Sequence, residues 1–264
     1  MCGGIVTLLD ESIQLGHYAK KQLLCKDWLI SWSHRKRFEV GVGLARQFAG
    51  KRVLDYGCGD GTFLAMLMAD SAAPASAAGS EVHASVMEDC RTRLGNRPGL
   101  HFVLDNELDA PRHLNAYDAI ICMEVLEHIL DVEPVFEKFV RLLVPSGQLL
   151  VSVPVEIGWP LLVKQMIRRI AGWRGLGDYP GTSPYNLREY WVSVFAGCRQ
   201  QIVRPIHRDG DGGYFHDHKG FNWMVLREAL ARRFYIERTI GSPLTWLPPH
   251  LSSQVWFLAR KKPC

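Results

Sequence analysis

Between Arg52 and Val153 five short β-type runs alternate with helical stretches, and no other feature constrains the fold of this chain as strongly. The runs are RVLDY (52–56), AAGSEV (77–82), LHFVL (100–104), YDAIICM (117–123) and GQLLVSV (147–153). Between them lie TFLAMLMAD, SVMEDCRTRL and VEPVFEKFVRLL, which read as helices. Strand and helix at this spacing make βαβ units and a parallel sheet. The alternation stops at Pro154 and resumes with a helix, FNWMVLREALARR, and two strands, FYIERTIGS and SSQVWFLARK. The loop joining those last strands, PLTWLPPHL, suits an antiparallel hairpin rather than another helical crossover. The expectation is an α/β sheet of seven strands, five parallel and a closing antiparallel pair. Its core is residues 50–153 and 221–264, preceded by a helical lid (1–49) and interrupted by an insertion (154–220).

The first strand runs into three alternate glycines, Gly57, Gly59 and Gly61, and then into a helix. Such a turn lets backbone approach a ligand closely and leaves N–H groups free at the helix start. The dinucleotide fingerprint GxGxxG fails here, because Thr62 occupies the place of its third glycine, and no GxxxxGK[ST] loop is present. Three acids mark the strand ends instead: Asp55 before the glycines, Glu81 ending the second run and Asp105 after the third. Carboxylates can accept both hydroxyls of a diol and hold an ammonium group, whereas a pyrophosphate would be repelled. The ligand expected is cationic, with a ribose diol and an adenine amine.

In order and spacing, VLDYGCGDG, GSEV, VLDNELDAP and YDAIICMEVLEHILD resemble the motifs of class I S-adenosylmethionine-dependent methyltransferases over roughly residues 50–153. The resemblance implies a Rossmann-like methyltransferase sheet with S-adenosylmethionine as cofactor. It places Asp55, Gly57 and Gly59 at the methionine part and Glu81 at the ribose, with Cys58, Gly61 and Val82 also in the cofactor site. Asp105 and Asn106 border the adenine, and Cys122 with Met123 lines the methyl-donor end.

Just after the fourth strand, CMEVLEHILD gathers Glu124, Glu127 and His128 within five residues. If these residues begin a helix, the three side chains lie about one turn apart. Two carboxylates and an imidazole can ligate a divalent cation, and His128 alone can serve as a general base near neutral pH. Simple packing of the block is the third reading. The block resembles that of ubiquinone-pathway O-methyltransferases and of small-RNA 3′-terminal 2′-O-methyltransferases, in which a divalent ion, Mg²⁺ or Mn²⁺, is implied to polarise the attacking hydroxyl. In the RNA enzymes a histidine from a block like YFHDHKGFNW (214–223) completes the site, which makes His218, with His216 beside it, the fourth candidate. Gly220 is one residue extra in that block, and a polar loop capping a helix explains it equally well.

The insertion holds one evident amphipathic helix, with Trp159, Leu162, Val163, Met166, Ile167 and Ile170 on one face and Lys164, Arg168 and Arg169 opposite. A cap helix that buries its apolar face is the expectation, and peripheral membrane contact through residues 158–173 is the alternative. The lid adds Tyr18, Trp28, Trp32, His34 and Arg37. Aromatic residues concentrated in both covers favour a lipophilic or ring-bearing small-molecule substrate. A net charge of +4, with its excess after residue 160, permits a nucleic-acid partner without implying one. Seven cysteines without a CxxC pair argue for reduced thiols. The opening MCGGIVTLLDES lacks a basic lead, and no apolar run reaches the ~20 residues that span a bilayer, so a cytoplasmic chain is expected. The function expected is O-methylation of a small hydroxylated metabolite. RNA 2′-O-methylation and a non-catalytic S-adenosylmethionine-binding module are the alternatives, and neither the substrate nor the oligomeric state is written in the sequence.

Overall fold

The computed structural model describes residues 10–24, 28–173, 183–210 and 212–263. Seven strands form one sheet: β1 (Arg52–Tyr56), β2 (Ser76–Glu81), β3 (Leu100–Leu104), β4 (Tyr117–Met123), β5 (Leu143–Pro154), β8 (Phe234–Ser242) and β9 (Gln254–Lys261), in the order β3-β2-β1-β4-β5-β9-β8. The sheet is mostly parallel with antiparallel C-terminal strands, as expected. A separate two-stranded ribbon, β6 (Ile206–Arg208) with β7 (Tyr214–His216), was not foreseen. The expected bounds of β1, β3, β4 and β8 are met, those of β2 and β9 shift by a residue or two, and β5 starts four residues earlier.

β1 sits between β2 and β4 in parallel register, with Asp55 opposite Gly79 on one side and Ile121 on the other. Four of its five residues are buried, as a strand covered on both faces requires. β2 is built of small residues because space is short there. A Cβ at Gly79 would lie 2.8 Å from Cys58 Sγ and 3.0 Å from the Phe102 ring. Parallel pairing of β2 with β3 then brings Glu81, the last residue of β2, opposite Leu104.

Two compact units make up the chain, one of residues 1–123, 137–151 and 258–264, the other of residues 124–136 and 152–257. The first holds the glycine turn, which follows β1, and α3 (Thr62–Met68), α4 (Ala84–Leu94) and α5 (Glu133–Leu142) in large part. Phe48, Leu54, Leu64, Met66, Leu67 and Phe139 fill its core. In the second unit Phe136, Phe234, Trp256 and Phe257 are fully buried. There the edge-to-face pair Phe136–Phe234 has ring centroids 6.4 Å apart.

The stretch expected as an insertion carries α6 (Trp159–Trp173) and a second helix that the sequence does not announce, α7 (Leu187–Val194), which packs with it. Asn186 and Glu189 close a reciprocal capping box at the start of α7. On α6 the expectation of a buried apolar face is corrected. Trp159, Val163 and Met166 are 69%, 50% and 58% exposed, while Leu161, on a different face, is fully buried. Among the described side chains of α6, a fully buried apolar one thus lies off the stripe. The side chains of Ile167, Arg168, Arg169 and Ile170 lie outside the described residues. Within the stretch expected as a helical lid, α2 (Trp28–Ala45) is the longest described helix. No described helix is long and apolar enough to cross a membrane.

Candidate functional site

Gly57, Gly59 and Gly61 have φ of +72°, +54° and +71°, the left-handed region that glycine enters without strain. The turn hangs from β2: the N–H groups of Gly57 and Cys58 both donate to the Ser80 carbonyl at 2.9 Å. A Cβ at Gly61 would meet the tip of Leu94, Cδ1, at 2.9 Å, and the positive φ there strains any other residue. At Gly59 nothing lies within 4 Å of where a Cβ would stand, which leaves room beside the backbone. Glu81 faces the same turn, its Oε2 accepting from Gly59 N at 3.1 Å and its Oε1 from Val82 N at 2.8 Å. Asp55 is buried beneath, and burial together with the nearby Glu81 carboxylate pushes its pKa up to about 7. Two acids crowded at a glycine turn call for a cation, the ligand chemistry expected of this loop.

Asp105 is already engaged: Lys138 Nζ donates to its Oδ2 at 2.9 Å. Tyr56 stands beside it, and burial with the Asp105 carboxylate raises the phenol's pKa. Asn106 and Val82 are exposed, Met123 is half-buried, and Cys122 is fully buried opposite Tyr56 across the β1–β4 pairing. One residue of the loop escaped the sequence reading. Asp60 Oδ2 accepts from Tyr18 N at 2.7 Å, and a Cβ at Gly16 would come within 2.6 Å of the same oxygen. The segment around Gly16 and Tyr18 is therefore fastened to the glycine turn. Behind it Tyr18, His34 and Arg37 form one hydrogen-bonded group, in which burial and Arg37 lower the pKa of His34 to about 3. Trp28 is exposed and takes no part.

The Glu–Glu–His block lies in the second unit and is not helical, which corrects the expectation of a helix start. Glu124 has φ +56°, a left-handed conformation that ends β4 and forbids a helical first turn. Ser152 holds it there, accepting from Glu124 N at 2.9 Å and donating from Oγ to the Glu124 carboxylate at 3.2 Å. A tight turn follows, with His128 N donating to the Val125 carbonyl, and α5 begins only at Glu133. Glu127 is fully buried.

His218 comes to this turn. Among the described residues, Glu127, His128 and His218 offer ligand atoms that all lie within 4.8 Å of one another. The two imidazoles meet edge-to-face with centroids 5.0 Å apart. Burial lowers the pKa of His218 to about 4, with His128 acting in the same sense and the Glu156 and Glu124 carboxylates opposing it. The neutral imidazole is the form that ligates a metal, and His218 Nδ1 is buried with no hydrogen-bond partner. One carboxylate and two imidazoles suit a divalent cation. Beside them, Lys164 Nζ donates to the buried Glu156 at 2.8 Å, a pair the sequence reading did not single out.

The protein is an S-adenosylmethionine-dependent methyltransferase. The chain belongs to the methyltransferase-domain family, whose model matches residues 29–192. It is 31% identical over 186 residues to the ubiquinone biosynthesis O-methyltransferase of Psychrobacter arcticus, a match covering 67% of this chain and 68% of that protein. With the ubiquinone biosynthesis O-methyltransferase of Klebsiella pneumoniae it shares 36% over 105 residues, 39% of this chain and 42% of the relative. The fold matches an S-adenosylmethionine-dependent methyltransferase from Mesorhizobium loti at a TM-score of 0.52 and 15% identity, covering 86% of this chain and 98% of that one.

Proposed function

We propose that the protein O-methylates a small hydroxylated metabolite with a lipophilic or ring-bearing body. The observation that carries this reading is the convergence of His218 on Glu127 and His128. The O-methyltransferase relatives and the exposed apolar side chains of α6 support it. In this reading Asp55, Glu81 and the glycine turn hold the methyl donor, which supplies an electrophilic methyl carbon. Methyl transfer from a sulfonium requires alignment and the removal of one proton from the acceptor hydroxyl. His128 Nδ1 stands 2.8 Å from the His216 carbonyl and can only donate to it, so Nε2 is the atom that takes the proton or ligates. Glu127, His128 and His218 would hold Mg²⁺ or Mn²⁺, with Glu124 close by; the ion would acidify the acceptor hydroxyl.

The test is product analysis. The protein is incubated with S-adenosylmethionine and a panel of catechols, phenols and aliphatic alcohols, and mass spectrometry looks for a methyl ether. Methylated nitrogen or carbon would overturn O-methylation, and the absence of any turnover would favour a cofactor-binding module. The same convergence of His218 favours a second reading, methylation of RNA 3′ ends. Binding of RNA should fall steeply with ionic strength, and binding of an uncharged metabolite should not.

A further inference from the structure

The carboxylate–histidine cluster is assembled from two stretches about ninety residues apart, the turn at 124–128 and residues 216–218 at the end of β7. One fastening between them is reciprocal. His216 N donates to the His128 carbonyl at 2.9 Å, and His128 Nδ1 returns a hydrogen to the His216 carbonyl at 2.8 Å. A second fastening comes from Arg204, which stands outside every motif of the sequence. Its Nη2 donates to the backbone carbonyl of Glu127 and, at 2.9 Å, to that of Asp217. Each of these carbonyls belongs to the residue just before a histidine of the cluster, so one guanidinium nitrogen ties the peptide groups leading into His128 and His218.

We infer that Arg204 is a positioning residue that sets the spacing between His128 and His218 for a divalent cation. This inference rests on the metal reading of the cluster proposed above. The guanidinium is itself held in place, stacked 5.2 Å from the Phe221 ring centroid. Glu127, Asp217 and Tyr185 are the ionisable groups that act on it. Burial lowers the pKa of Arg204 to about 10, which leaves it cationic at neutral pH.

The charge of Arg204 gives the inference a test with opposite signs. A cation next to a divalent-ion site repels the ion, so removing the charge alone would tighten metal binding. Removing a clamp would loosen it. Groups that orient metal ligands from outside typically cost 10–100-fold in metal affinity when mutated. Lysine keeps the charge but lacks the planar fork of donors, so it tests geometry at constant charge.

The experiment is titration of the full chain with Mn²⁺ alone, followed by electron paramagnetic resonance, for the wild type, Arg204→Met and Arg204→Lys. Binding of S-adenosylhomocysteine, assigned to the glycine turn, reports in parallel that each variant is folded. The expected result is a Mn²⁺ affinity lowered about 10–100-fold in Arg204→Met and by a smaller factor in Arg204→Lys, with nucleoside affinity unchanged. Affinity that is equal or tighter in both variants would overturn the inference, since Arg204 would then act by charge or not at all. If Arg204→Met fails to bind the nucleoside, Arg204→Lys alone decides: weakened Mn²⁺ binding supports the clamp and unchanged binding refutes it. A wild type that does not bind Mn²⁺ overturns the metal reading, and the inference falls with it.

Discussion

The Nδ1 of His128 donates to the backbone carbonyl of His216 at 2.8 Å. A carbonyl cannot donate in return, so the hydrogen bond fixes the tautomer and leaves the Nε2 lone pair for chemistry. The neighbouring Glu127 Oε1 lies 3.9 Å from that Nε2. A base or ligand oriented in this way is held by backbone, which makes its direction insensitive to surface substitutions nearby.

Replacing His128 and removing the metal together separate its two candidate roles. His128→Ala should lower turnover by at least ~100-fold, the usual contribution of a positioned proton acceptor, while S-adenosylhomocysteine binding stays within about twofold by calorimetry. Chelation with EDTA should abolish wild-type activity, and Mg²⁺ or Mn²⁺ should restore it. Activity that persists in EDTA, alongside a dead His128→Ala, would make His128 a plain general base and remove the metal from the mechanism.

Glu81 should dominate the affinity for the methyl donor. Its carboxylate accepts from Gly59 N and Val82 N, so it is aimed at the turn before any ligand arrives. Hydrogen bonds to a charged group contribute about 1.5–3 kcal/mol, so Glu81→Ala should weaken S-adenosylhomocysteine binding about 10–100-fold. Calorimetry checks this, and an unchanged affinity would remove Glu81 from the nucleoside site.

Asp55 should make the ligand-free protein less stable as pH rises. Its carboxyl titrates near 3.8 when exposed and near 7 in the fold, because of burial first and Glu81 second. The native state thus holds this proton more tightly than the unfolded chain. The stabilisation is complete below about pH 4 and is lost as the pH climbs through 7. Asp55→Asn cannot lose it. In thermal melts at pH 8 the variant should be the more stable of the two, and the difference should vanish near pH 4. The same substitution should weaken binding of the cationic donor, whose affinity for the wild type should rise as Asp55 ionises. A wild type that melts higher than Asp55→Asn at pH 8 would show that the acid is stabilised as its anion.

The glycine turn was legible because its chemistry is local. Three left-handed positions in five residues favour glycine, and the acids Asp55 and Glu81 stand beside the strand ends in the sequence itself. The Glu–Glu–His block was legible as a set of donors but not as a shape. Glu124 takes its left-handed conformation because Ser152, twenty-eight residues on, holds both its backbone and its carboxylate, and no local pattern encodes that partner. Arg204 was invisible for a related reason. Its partners are backbone carbonyls, which every residue possesses, so nothing in the side-chain sequence marks the contact.

α6 supplies the last prediction, because its periodicity is legible in the sequence and its burial is not. Spacing identifies Trp159, Val163 and Met166 as one face, yet periodicity cannot say whether a face is covered, and these three are largely exposed. Leu161 is the fully buried apolar side chain near the helix start. Exposed side chains lose little on truncation, usually within about 0.5 kcal/mol, whereas Leu→Ala in a packed core costs about 2–5 kcal/mol. Trp159→Ser combined with Met166→Ser should therefore leave the unfolding midpoint nearly unchanged, and Leu161→Ala should lower it clearly. If the exposed face collects a lipophilic acceptor, the double variant should also raise KM for that acceptor with kcat preserved, because it removes binding common to ground state and transition state. A large loss of stability in the double variant would show instead that the face is covered in solution.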